Sequence, residues 1–300
     1  MSNIFSIPDE ELRKALDMTG GAGLIQEEID KVIADLVEVN NPLRQNLPRK
    51  RGSGSKYIIN RRTDRGTGAW LADTDSMSDS EGTYAQVEFA YKTVGFQGKV
   101  TRKLQAAGKS YSDILQDEIE SGIQVIKDAE EDKLINGVVS GDPKEIDGLI
   151  TLITGGQVST LNAELTLDAL DKAIDLCIGK PDMLIMSKRS ARELNALLQV
   201  YQRFVETTEV KGGFRLMSYN GIPIYPSIYI SDDESGGATG DSSIYILDTS
   251  EVFVGELTAL TMSRLAKTST QFDAFEIYED MVLVLKNTKK AVRLKGILSP

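Results

Sequence analysis

The chain has no histidine and a single cysteine, Cys177, in 300 residues. One thiol cannot close an intramolecular disulfide, and this cysteine usage suits a reducing, cytosolic compartment. Without histidine, the commonest general base and the commonest zinc ligand are both missing. Ser-His-Asp, Cys-His and histidine-ligated metal chemistry are therefore excluded, which leaves an enzyme only carboxylate or lysine chemistry. The sequence also lacks a P-loop, a dinucleotide-binding glycine pattern and any Cys/His cluster, so no cofactor and no metal is expected. No apolar run approaches the roughly 18–20 residues that span a bilayer, so no membrane partner is expected. The opening MSNIFSIPDEELRKAL lacks a basic region followed by an apolar core, and no secretory signal is expected.

Positive charge is in deficit: 34 Lys and Arg face 45 Asp and Glu, a net charge of −11. Coating phosphates needs cationic surface, so the balance argues against a general nucleic-acid-coating role. It does not exclude a container for DNA, whose inner wall gains from not gripping its cargo. The chain is 41% hydrophobic and 26% charged, near the average for soluble globular proteins, and needs no disulfide or metal to fold.

Leu24, Ile25, Ile29, Val32, Ile33 and Leu36 recur at helical steps within an N-terminal arm, residues 1–45. A helix this short is marginal alone, so Ile29 is expected to lie against a neighbour. Gly20, Gly21 and Gly23 before it read as a joint, since no strand precedes them and no Lys-Ser/Thr follows. Between Asn41 and Arg65 stand eight Lys or Arg and one acid, Asp64. The next stretch is acidic, with Asp73, Asp75, Asp79, Glu81 and Glu88 before any base. Strand-like segments flank a turn region at Gly66 and Gly68, so residues 46–95 read as a long hairpin with few apolar residues of its own. Such a hairpin makes no core alone. Its basic residues Arg49, Lys50, Arg51, Arg61 and Arg62, together with Trp70, are the candidate intersubunit contacts, with the acids of the long helix as their expected target.

That helix is expected over residues 112–136, capped by Ser112, with Leu115, Ile119, Ile123, Ile126 and Ala129 as its apolar stripe. Glu130, Glu131 and Asp132 are read as a solvated or intersubunit-pairing face. Gly148-Leu149-Ile150 reads as the start of a strand. A βα region follows, with Thr166 and Ser187 as helix caps, Met183–Met186 as a buried strand and Asn220-Gly221 as a tight turn. Ser231 to Ser243 reads as an exposed loop, and its Asp232, Asp233, Glu234 and Asp241 as solvated acids that match no calcium loop. Strands are expected at Phe272–Tyr278 and Met281–Leu285, with a turn at Glu279-Asp280, and then at Ala291–Ile297. Cys177 lies in an apolar helical run and reads as a small buried hydrophobe.

The order of these segments resembles the tailed-phage major capsid protein family, whose fold is named after phage Hong Kong ninety-seven. Asn41-Pro42-Leu43 is similar to the end of its N-terminal arm, and the hairpin with Ala69-Trp70-Leu71-Ala72-Asp73 to its extended loop. Glu131-Asp132-Lys133-Leu134-Ile135-Asn136-Gly137, followed by Asp147-Gly148-Leu149-Ile150, looks like its spine helix and the turn after it. Pro181–Ser187 and Asn220–Ile224 resemble its axial domain, and Ala291–Gly296 its peripheral domain. The resemblance implies an α+β fold with a peripheral domain over 96–155 and 255–300 and an axial domain over 156–254. It implies no enzyme activity and self-assembly as pentamers and hexamers into an icosahedral shell in the virion. The shell would enclose double-stranded DNA without sequence-specific binding. A separate scaffolding protein or none, a portal and a decoration protein are its implied partners, and the host cytoplasm its place of assembly. Some members crosslink a lysine to an asparagine; Lys50, Lys56, Lys92 and Asn287 provide the residue types without matching the family's positions. The rival readings are an encapsulin shell holding an enzyme and, more distantly, a carboxylate-dependent α+β enzyme.

Overall fold

The computed structural model describes residues 41–77, 79–108, 113–200, 206–209, 215–234, 240–266 and 271–299. The arm helix with Ile29, and Ser112, lie outside the described residues. In chain order the first half holds α1 (Pro42–Asn46), β1 (Arg49–Arg51), β2 (Lys56–Arg62), β3 (Tyr84–Ala90), β4 (Lys92–Thr101), α2 (Arg102–Gly108) and the spine helix α3 (Ile114–Asn136). After α4 (Leu149–Leu152) come β5 (Val158–Glu164), α5 (Leu167–Asp175), β6 (Met183–Met186), α6 (Lys188–Val200), β7 (Glu206–Glu209), β8 (Arg215–Tyr219) and β9 (Ile222–Pro226). The chain closes with β10 (Ser242–Leu247), β11 (Val252–Arg264), β12 (Phe272–Leu285) and β13 (Ala291–Leu298).

Two sheets carry the body. One has the order β1-β11-β12-β4, and the other β5-β13-β10-β6-β9-β8-β7. β2 and β3 pair only with each other, antiparallel from Lys56↔Ala90 to Arg62↔Tyr84. The spine helix lies across the four-stranded sheet, where Ile119 and Ile126 pack with Phe275 and Ile277, and Leu115 and Ile123 flank them. Its stripe is the one that sequence periodicity indicates. Gly122 allows the close approach: a Cβ there would stand 2.6 Å from the Phe96 ring. Asp113 caps the helix by accepting from Gln116 N–H, and Asp117 sits in its first turn, where the dipole favours an anion.

The seven-stranded sheet buries one face under α5 and α6 through Leu170, Ala173, Leu194 and Leu198. Its other face meets the four-stranded sheet and the end of the spine helix, where Ile185, Tyr245, Val254, Leu283, Leu134 and Leu149 form one cluster. Thr166 accepts from Ala169 N–H and Ser187 from Ser190 N–H, the expected caps. Asn220 and Gly221 have φ of 51° and 76°, the left-handed pair that a tight hairpin between β8 and β9 requires.

Several expectations are corrected. Leu149–Leu152 is a helical turn, not a strand, because Thr151 Oγ1 and Gly148 N–H both donate to Gly137 O and fold the segment back; short apolar runs do not distinguish the two. β12 runs unbroken through Glu279-Asp280. Ala291–Leu298 pairs with β10 and β5, which places it in the seven-stranded sheet and not beside the other C-terminal strands. The end of the arm is core, with Leu43 fully buried. The loop before β10 is also not wholly exposed: Asp241, Ser242 and Ser243 are buried.

Candidate functional site

The root of the hairpin is an ionic cluster inside the subunit. Pro42 occupies the first turn of α1, where its missing N–H costs nothing. The next two amides, of Leu43 and Arg44, donate to Glu131 Oε1 and Oε2 at 2.9 and 2.8 Å. A carboxylate of the spine helix thus caps α1. One residue earlier on α3, Glu130 pairs with both Arg44 and Arg49. Arg49 also pairs with Glu279 of β12 at 2.6 Å and with Glu256 of β11 at 2.5 Å, and Arg44 reaches Glu279 at 3.2 Å. The Glu130, Glu131 and Glu279 side chains are fully buried. Burial pushes the Glu131 carboxyl up to about 7, against the pull of the two amides. Burial lowers the Arg44 guanidinium, which Glu279 opposes.

Glu130 and Glu131 are therefore neither solvated nor intersubunit, contrary to the sequence reading. They lie late on α3, where the helix dipole disfavours anions, and that misplacement was the available signal that cations must stand opposite. Glu279 explains why β12 does not turn: its charge is met in mid-strand. Glu234 is also paired, with Arg293 at 2.7 Å and Ser243 at 2.6 Å.

Beyond the root, Tyr57, Ile59, Val87 and Phe89 of the β2–β3 ribbon pack on Phe253, Val282 and Val284. Arg61 donates to the carbonyls of Leu285 and Lys286, the latter at 2.8 Å, and so fastens the ribbon to the end of β12. Lys50 stands 3.9 Å from the centre of the Phe253 ring. Arg49, Lys50 and Arg61, expected at a neighbour, each have a partner within their own chain; Arg49 and Arg61 are half-buried there, and Lys50 stays exposed. Arg62 donates to Tyr84 Oη at 2.6 Å in solvent, and Arg51 is exposed.

The tip differs. Trp70 is 103% exposed and Met77 85%. Asp73, Asp75, Asp79 and Glu81 are exposed, and none makes an ion pair with a described residue. Among the described residues no group of three or more His, Cys, Asp or Glu is placed to hold a metal. No helix among them is long and apolar enough to cross a membrane. Cys177 is buried, and burial raises its thiol pKa.

A spine helix across one sheet, a helix-covered second sheet and a projecting hairpin define a capsid-shell class of fold. The chain belongs to the phage capsid family, whose sequence profile matches residues 21–295, and it is a capsid shell protein of the virion. No curated protein matches it. Solved structures share the fold. An encapsulin complex from Synechococcus elongatus has 14% identity and a TM-score of 0.77, covering 95% of this chain and 96% of that one. The capsid of a native GTA particle has 13% identity and a TM-score of 0.72, covering 94% and 99%. A structure from Mycobacterium phage Bobi has 15% identity and a TM-score of 0.68, covering 93% and 98%.

Proposed function

We propose that the chain is the major capsid subunit of a tailed phage, assembling as pentamers and hexamers into an icosahedral shell around double-stranded DNA. The observation that carries this, beyond family membership, is the hairpin: its root is anchored in the body while its tip presents Trp70, Leu71 and Met77 bare. Large apolar side chains left bare on an anchored hairpin mark a contact for another molecule. The net charge of −11 fits a wall that encloses DNA without gripping its sequence. A separate scaffolding protein, a portal and a decoration protein belong to this reading, with assembly in the host cytoplasm.

Electron microscopy and light scattering of the purified chain, with and without scaffold, test it. Closed shells with five- and six-fold units are expected. A stable monomer across concentration and salt would refute it, and shells isolated with an enzyme cargo and no DNA would point to an encapsulin.

A further inference from the structure

The ionic cluster at the hairpin root holds more acid than base. Four carboxylates, Glu130 and Glu131 of α3, Glu256 of β11 and Glu279 of β12, meet two guanidiniums, Arg44 and Arg49. Both guanidiniums pair with Glu130 and Glu279, and Arg49 also with Glu256. Glu131 makes no ion pair with a described residue, yet it is fully buried, its two oxygens turned to the amides of Leu43 and Arg44. A buried carboxylate without a cation of its own is costly to keep charged.

Its surroundings give little relief. From α1 it faces Leu43 and Arg44, and the Arg44 guanidinium is shared with Glu130 and Glu279. Asn41, just before α1, donates its side-chain amide to Asp128 at 2.8 Å. Its neighbours on α3 are acids, Asp128, Glu130 and Asp132. The segment after β9 brings Tyr229, whose phenol is pushed up to about 12 by burial and by Asp128, Asp132 and Glu131, so it stays neutral. Burial outweighs the two amides and Arg44 in raising the Glu131 carboxyl, and Asp128 adds to the rise.

The two states of this carboxyl hold α1 differently. A carboxylate offers lone pairs to both amides; a carboxylic acid keeps one good acceptor but leaves no charge to bury. Past α1 the chain is fixed, since Pro48 O accepts from Val254 N–H at 2.9 Å and β1 begins. Before α1 lie residues 1–40. We propose that Glu131 is a proton-operated latch on the end of the N-terminal arm: protonated it keeps α1 seated on the spine helix, and charged it favours α1 lifting to admit water. Leu43 is fully buried, so lifting is a minor excursion, which acid makes rarer.

The direction follows from linkage. Seating α1 carries the carboxyl from its ordinary 4.5 to about 7, so the seated form binds the proton more tightly. Acid favours seating, and that advantage is lost as pH rises through 7. From one end of this window to the other it amounts to at most about 300-fold in the seating equilibrium.

Hydrogen exchange of the backbone amides of Leu43 to Leu47 in unassembled subunits, corrected for the intrinsic pH dependence of exchange, tests the latch. Their protection is expected to fall by more than about ten-fold from pH 5 to pH 8. The spine-helix amides of Ile126 and Leu134 are expected to lose less over the same range. Glu131→Gln, which cannot ionise, is expected to hold protection at Leu43 to Leu47 level with pH. Wild-type protection that does not change with pH overturns the latch, whether or not the variant folds. So does a fall that Glu131→Gln shares, or one matched in full by Ile126 and Leu134, which would mean global unfolding. None of these outcomes bears on whether the chain builds shells.

Discussion

The root and the tip of the hairpin are built from similar charged residues and use them in opposite ways. At the root, Arg44 and Arg49 lie among three glutamates of distant elements, with side-chain exposures of 14% and 23%. At the tip, four acids and the indole stand in water. Local charge density does not separate the two cases. The difference is whether the backbone brings opposite charge together with enough apolar cover to dry it, since a buried charge is tolerated only when paired.

The comparison breaks first at Arg49. Arg49→Ala leaves Glu130 and Glu279 buried with one cation fewer, and removing one partner of a buried pair typically costs about 3–5 kcal/mol. Urea unfolding of unassembled subunits measures it; a loss under about 1 kcal/mol, the range of exposed pairs, would mean that the root is no drier than the tip. Next comes the spine helix. Ile126→Ala is expected to cost about 2–5 kcal/mol through lost burial and a cavity. Val125→Ala, on the exposed side of the same helix, is expected to stay within about 0.5 kcal/mol. Equal losses would contradict the packing of that stripe on Phe275 and Ile277.

Glu131 sharpens the comparison through pH. Its unfolded carboxyl titrates near 4.5 and its folded one at about 7. The raised folded value favours the protonated form, so the contribution is fully present below pH 4.5 and is lost as pH rises through 7. It amounts to about 3 kcal/mol. Glu131→Gln cannot ionise, so its stability is expected to lack this part of the pH dependence between 4.5 and 7. An unchanged slope in thermal melts across that window would take the assignment away from Glu131. The smallest effect belongs to the solvated pair: Lys56→Ala, which removes the exposed contact with Glu88, is expected to change subunit stability by no more than about 1 kcal/mol. A larger loss in the same urea assay would show that the ribbon is not solvated on that face.

Much of the fold was legible because its signals are local. The spine helix showed in an apolar stripe of period three and four, the helix caps in Thr166 and Ser187, and the β8–β9 turn in Asn220-Gly221. The hairpin was legible as a ribbon without a core. Its partners were not, because Arg49 finds Glu130 and Glu279 across 81 and 230 residues of chain. Glu279-Asp280 read as a turn for the same reason: a charged pair breaks an apolar run unless something distant neutralises it.

What the sequence determined by itself is the class of chemistry and the run of elements. A chain without histidine and with one thiol has no nucleophile–histidine machinery, and periodicity and capping act over a few residues, so they can be read there. The tertiary structure decided which charges are inside, which strand joins which sheet, and that Trp70 stands bare at the hairpin tip. Those are long-range facts: the free energy of a charge depends on what surrounds it in space, and one backbone can bring together residues that the sequence keeps far apart.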